Sequence, residues 1–147
     1  MDNPTILDAI PHRDPFLFVD AIEHWDESTI ICTKTFSGTE AFFGGHYPGF
    51  PLVPGVVLCE AAMQAGAILL SKYLKDAEGK VPVATRMNDV RFKRMVHPGE
   101  TLRMEVQLVE KVASAFFLGA KVSVDGKVAV RFEFACTAAE TTGMKAQ

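Results

Sequence analysis

The chain has 147 residues, which fits a single domain with one modest core. Apolar residues make up 48% and charged residues 22%, an ordinary globular balance that excludes a disordered or fibrous chain. The net charge of −3 argues against nucleic acid as the main partner, because neutralising phosphates takes a basic excess.

The opening MDNPTILDAIPHRD has no basic segment followed by an apolar run, so no secretory signal is expected. Cys32, Cys59 and Cys136 are odd in number and show no C-x-x-C spacing. They predict three reduced, buried thiols of a cytoplasmic protein, not a disulfide framework or a zinc site.

Residues 16–25 are apolar and aromatic and predict a strand after Pro15. Residues 29–36 are rich in β-branched side chains and predict its partner. Residues 40–54 contain Gly44, Gly45, Pro48, Gly49, Pro51 and Pro54, which predicts a structured loop with a helical turn near residues 41–43. Gly55 to Leu74 then predicts a helix, with Pro54 and Gly55 suited to its start. Its longest apolar run, residues 56–70, is interrupted by Glu60 and Gln64 and falls short of the ~20 residues of a membrane span. A helix apolar on nearly all faces is a buried helix. Glu60, Gln64, Ala67 and Ser71 follow at steps of four, three and four, giving one narrow polar or small stripe. Lys72 and Lys75 mark an exposed end.

Residues 83–93 predict another strand, with Pro98-Gly99 as a turn. Residues 101–110 alternate, with Leu102, Met104, Val106 and Leu108 on one face. Residues 122–124 and 128–134 flank Asp125-Gly126, a strong two-residue hairpin signal. Residues 138–147 read as a frayed tail of one domain, 1–147. The expected architecture is α+β: five or six antiparallel strands curved around one long helix.

The segment GGHYPGFPLVPGVVLCEAAMQ carries the chemistry. His46 is fixed among glycines and prolines outside any regular element, and Glu60 follows fourteen residues later inside the apolar helix. Burial there would favour the protonated acid, which can give a proton to a leaving hydroxyl. A neutral imidazole can take a carbon acid's proton. The two suit β-elimination of water. Gly55 opens the helix, where a free N–H and the helix dipole would favour enolate charge on a thioester oxygen. The residues alone leave a second reading equally open: a hydrogen-bonding loop histidine and a partnered structural carboxylate. His12, His24 and His97 share no ligand spacing, so no metal is assigned.

IPHRDPFLFVD (10–20), GHYPGFPLVPGVVLCEAAMQ (45–64), VRFKRMVHPGE (90–100) and VDGKV (124–128) spread over most of the chain. In that order the sequence resembles the 3-hydroxyacyl-acyl carrier protein dehydratases of bacterial type II fatty acid synthesis, the FabZ family. The resemblance implies a hotdog fold, with the sheet wrapped around the central helix. It implies dehydration of a (3R)-hydroxyacyl-acyl carrier protein to the trans-2-enoyl product, with His46 and Glu60 catalytic and Gly55 binding the thioester carbonyl through its N–H. Gln64, Phe50 and Val56 are expected to line the substrate site. The substrate arrives on the phosphopantetheine arm of acyl carrier protein, and no cofactor is implied. The resemblance further implies a dimer, often a trimer of dimers, whose sites take His46 from one subunit and Glu60 from the other. The related dehydratase-isomerases carry aspartate at the helix position, so Glu60 leans away from isomerisation. Tyr47 stands where phenylalanine is common, Gly44 where glutamine is frequent, and Phe50 at a variable site. These departures leave acyl-chain preference open.

Acyl carrier protein is generally acidic, so its docking patch should be basic. Arg91, Lys93, Arg94, Lys121, Lys127 and Arg131 are the candidates, set against an ordinary solvated strand face. Neither nucleic acid nor membrane insertion is expected. The alternatives to housekeeping dehydration are a hotdog acyl thioesterase, a dehydratase of a specialised lipid or polyketide pathway, and a non-catalytic acyl-binding protein.

Overall fold

The computed structural model describes residues 4–74 and 79–140. A short helix α1 (Ile6–Ala9), unmarked by periodicity, precedes strands β1 (Ala21–Trp25) and β2 (Thr29–Thr35). A 3₁₀ turn at Ala41–Gly44 leads to helix α2 (Gly55–Leu74). Four strands follow: β3 (Lys80–Phe92), β4 (Thr101–Val112), β5 (Ala115–Val124) and β6 (Lys127–Glu140). They form one antiparallel sheet in the order β1-β2-β4-β5-β6-β3.

The sheet wraps α2, which packs against β2, β3, β4, β5 and β6. The alternation of β4 sets its register on the helix: Leu102, Met104 and Val106 are fully buried, and the residues between them are exposed or half-buried. Val130, Phe132 and Phe134 of β6 and Phe116, Leu118, Ala120 and Val122 of β5 complete the inner face. Each of these side chains apart from Ala120 contributes roughly 1.5–3 kcal/mol on burial. At Gly66 the helix packs tightly against side chains of β4 and β6. A Cβ there would lie 2.8 Å from Phe134 Cζ, so the glycine's low helix propensity is offset by packing that alanine would crowd.

By length and hydropathy α2 is long enough to cross a membrane, but 61% of that stretch is buried within the protein. Lys75, expected at its exposed end, lies outside the described residues, as does 141–147 of the expected tail. Residues 138–140 are not frayed: Ala138 and Ala139 pair with Pro82 and Val81 in the ladder of β3 and β6. Residues 16–20 are not strand either. Phe18 and Val19 are buried in the core while Gln64 takes up Phe18 N–H and Phe16 O. β5 also begins earlier than its valine-rich end implied.

Asp125 and Gly126 both have positive φ, 50° and 80°, the requirement of a two-residue turn whose twist matches the strands. Cys32, Cys59 and Cys136 are free and buried. Burial, with the charge of Glu23 second, pushes the Cys32 thiol up to about 12, and burial alone pushes Cys59 and Cys136 to about 11.

The turn between β1 and β2 is tied by one carboxylate. Asp26 Oδ1 accepts from the N–H groups of Ser28 and Thr29, both at 2.9 Å, and Oδ2 lies 2.6 Å from His24 Nε2. The Ser28 N–H first, then His24 and Thr29, hold its pKa at about 2, below the ordinary 3.8. A carboxylate depressed in the folded state adds stability above its ordinary value, and that stability is lost as pH falls through the folded one. Asp26→Ala is therefore expected to be less stable than the parent at neutral pH, with the gap closing as pH falls from 3.8 toward about 2. Urea denaturation across that range measures it, and a pH-independent gap would contradict the assignment.

Candidate active site

His46 is aimed by a loop whose own backbone is tied at both ends. Gly45 N–H bonds to Phe42 O at 3.3 Å, and Phe50 N–H to Tyr47 O at 2.9 Å across a turn in which Tyr47 and Gly49 have positive φ, 53° and 86°. Further on, Val53 N–H donates to Val96 O at 2.8 Å. The half-buried His46 ring places Nδ1 3.2 Å from Leu52 O. A carbonyl oxygen only accepts, so the proton sits on Nδ1 and Nε2 keeps its lone pair. That is the tautomer a general base needs.

The His46 cavity has a volume of about 720 Å³. Gly55, Val56, Phe92, Lys93, Arg94 and Met95 are among its lining residues. Gly55 N–H donates to no acceptor among the described residues; the first bonds of α2 run from Val57 and Leu58 N–H to Pro54 O. The cavity thus joins a bare imidazole nitrogen to a helix N-terminus with an unused donor. A Cβ at position 55 would stand 2.6 Å from Cε1 of Phe92, so any larger residue would have to displace that ring. Phe92 itself drew no functional expectation, because an aromatic in a strand ordinarily signals packing alone.

Glu60 is not in this cavity. It lies one and a half turns along α2, its side chain 26% exposed, so the single chain does not bury it as expected. Its Oε2 accepts from Gln64 Nε2 at 3.0 Å and lies 3.6 Å from His12 Nε2. The chain thus brings His46 and Gly55 together and leaves Glu60 with His12 and Gln64. The sequence weighed His12 only as a metal ligand; its approach to Glu60, 48 residues away, lies beyond the reach of any periodicity.

Two expected substrate contacts do not line this cavity in the single chain. Gln64 is 1% exposed, and its amide is engaged by Phe18 N–H, Phe16 O and Glu60, so it ties the backbone of residues 16–18 to the helix. Phe50 is not among the lining residues and sets its ring against His97, with centroids 5.9 Å apart. Val56, 74% exposed, does line it.

The basic residues divide into groups. Lys93 and Arg94 line the His46 cavity. Arg91, Lys121 and Arg131 line a separate groove of about 620 Å³ on the outer sheet face, shared with Lys93 and the carboxylates Asp89, Glu105 and Glu133. There Arg91 pairs with Asp89 at 2.9 Å and Lys121 with Glu105 at 3.7 Å. Lys127 opens β6 and lines neither. The six do not form a single basic patch.

Known proteins resemble this chain over most of its length. Residues 10–133 match the family model described as a FabA-like domain. The chain is 45% identical over 125 residues to the 3-hydroxyacyl-[acyl-carrier-protein] dehydratase FabZ of Clostridium perfringens (strain SM101 / Type A), covering 84% of this chain and 88% of that protein. It is 42% identical over 143 residues to the FabZ of Caulobacter vibrioides (strain NA1000 / CB15N), covering 96% and 90%. Among solved structures, the dehydratase heterocomplex ApeI:P from Xenorhabdus doucetiae superposes with a TM-score of 0.78 at 15% identity over 95% of this chain and 93% of that one, a likeness of fold. A hypothetical thioesterase with coenzyme A from Streptococcus pneumoniae TIGR4 shares the fold at 12% identity and a TM-score of 0.63, covering 81% and 84%. The match over residues 10–133 and the two long relatives agree, and the chain belongs to the FabZ family of 3-hydroxyacyl-[acyl-carrier-protein] dehydratases.

Proposed function

We propose that this chain removes water from (3R)-hydroxyacyl thioesters carried on acyl carrier protein, giving trans-2-enoyl thioesters for fatty acid synthesis, with His46 as base and Glu60 as acid. The observation that carries the residue assignment is the cavity shared by the bare Nε2 side of His46 and the unused Gly55 N–H. The thioester carbonyl accepts from Gly55 N–H. Nε2 takes the α-proton, and the electron pair of that C–H bond passes to the carbonyl as enolate charge, which the donor and helix dipole stabilise. The pair then returns to form the α,β double bond, the β-carbon–oxygen bond breaks, and Glu60 supplies the proton that lets hydroxide leave as water. All protons move between substrate and side chains, so the scheme uses no cofactor.

Glu60 lies outside the cavity of its own His46, so the acid comes from a second copy in this reading. β3 supports that assembly. It is an edge strand of 13 residues with Val83, Met87 and Phe92 exposed, and a long, apolar, unpaired edge favours pairing with another sheet. Phe92 also walls the cavity, so the edge and the site are continuous. The unit is a dimer with two shared sites, assembling further as a trimer of dimers. The buried position of α2 and the unpaired thiols fit a cytoplasmic enzyme without membrane insertion.

Mass spectrometry of 3-hydroxyacyl carrier proteins of graded chain length tests the reaction. Loss of one water per acyl group is expected; release of free carrier thiol in its place would make the chain a thioesterase. Lys93 and Arg94, at the cavity, are the docking residues favoured for an acidic carrier. kcat/KM with the protein carrier should fall several-fold as salt rises through physiological strength, and that of a short pantetheine thioester should stay nearly constant. Equal salt dependence of the two would count against docking by charge.

A further inference from the structure

We infer that His12 is a positioning residue for Glu60: with Gln64 it holds the Oε2 oxygen and leaves Oε1 to carry the proton. The inference rests on the reading of Glu60 as the acid.

The orientation of the Gln64 amide is fixed by its neighbours. Phe18 N–H meets it at 2.7 Å, and an N–H donates, so the atom facing it is the amide oxygen Oε1. Nε2 then points the other way and spends its two hydrogens on Phe16 O at 2.9 Å and Glu60 Oε2 at 3.0 Å. Glu60 Oε2 is therefore an acceptor.

His12 approaches the same oxygen, Nε2 to Oε2 3.6 Å, from the loop before β1. This loop is built to hold it. The Arg13 guanidinium donates to Leu7 O, Ile10 O and His12 O at 2.8, 2.9 and 2.7 Å, and Gln64 ties Phe16 and Phe18 from the other side. The His12 ring lies nearly parallel to Phe16, at 19° and 6.4 Å. Its Nδ1 is buried and meets no partner among the described residues. An N–H on Nδ1 would be a buried donor with nothing to accept it, whereas an N–H on Nε2 faces a carboxylate. The geometry selects the Nε2–H tautomer, and its 3.6 Å separation from Oε2 is of the kind that tightens to a hydrogen bond once substrate is bound.

With two donors directed at Oε2, a proton placed there would oppose both. Oε1 accepts no hydrogen bond among the described residues and is the oxygen left to meet a leaving hydroxyl. As that proton departs, the charge left on Oε2 is met by donors already in place.

Steady-state kinetics on His12→Phe, His12→Gln, Glu60→Gln and the double variant His12→Phe/Glu60→Gln test this. Phenylalanine keeps the ring beside Phe16 and removes the N–H; glutamine returns an N–H near the Nε2 position. His12→Phe is expected to lower kcat by about ten- to a hundred-fold with KM little changed, as for the loss of one charge-assisted hydrogen bond. His12→Gln should recover most of kcat. In the Glu60→Gln background, His12→Phe should have no further effect, because it acts through Glu60. If the phenylalanine variant does not fold, His12→Asn, too short to reach Oε2, carries the same expectation. Normal kcat in the His12 variants beside an inactive Glu60→Gln would overturn this inference alone. A fully active Glu60→Gln would overturn the assignment of the acid on which it rests.

Discussion

His46→Ala is expected to lower kcat/KM for dehydration by about 10²–10⁴-fold while leaving the fold intact. The side chain is half-buried and makes one hydrogen bond, to Leu52 O, whose removal costs about 0.5–1.5 kcal/mol of stability. The loop keeps its other ties, at Val53–Val96 and Phe50–Tyr47. The large loss is therefore catalytic: without Nε2 no side chain lining the cavity can take the α-proton. Rate measurement on carrier-bound substrate, with circular dichroism to show a folded protein, checks this. Activity near that of the parent would remove His46 from the mechanism.

Glu60→Gln is expected to lower kcat by about 10²–10³-fold. The substitution is nearly isosteric, and the new amide has an orientation it can adopt without rearrangement, its oxygen toward the Gln64 N–H and its NH₂ where Oε1 stood. It can still donate a hydrogen bond to a substrate hydroxyl, but it has no proton to give up. The variant thus separates proton donation from orientation. A loss of less than ten-fold would mean that Glu60 only orients the hydroxyl and that His46 handles both protons. Measuring kcat under saturating substrate isolates the step.

The features read correctly from the sequence were those set by neighbours in the chain. α2 starts at Gly55 and ends at Leu74 as predicted, because Pro54 ends the loop and a run that is apolar on nearly all faces demands burial. The β5–β6 turn follows from Asp125-Gly126, since few other pairs accept two positive φ values. Hydrophobicity misled at residues 16–20, where it signals burial but not hydrogen bonding to another strand. The first half of β5 was missed because Gly119 and Ala120 have weak strand propensity, and cross-strand pairing overrides it.

The site divides in the same way. His46 and Gly55 belong to one continuous motif and meet in one cavity. The i, i+4 spacing put Gln64 beside Glu60, but only the backbone of residues 16–18 decides which way its amide points. His12 meets Glu60 because a loop folds back over α2, a contact that no local pattern encodes.

Mixing His46→Ala and Glu60→Gln subunits tests the central claim, that each site takes its base from one copy and its acid from another. Each variant alone is inactive. In a mixed dimer with sites shared across the interface, one site carries both lesions and the other carries none. Equal amounts exchanged to equilibrium, by mild denaturation and refolding, should regain about a quarter of the parent activity, because half the dimers are mixed and half of their sites are intact. If both residues act within one chain, no intact site can form, and a mixture no more active than its components would contradict the account.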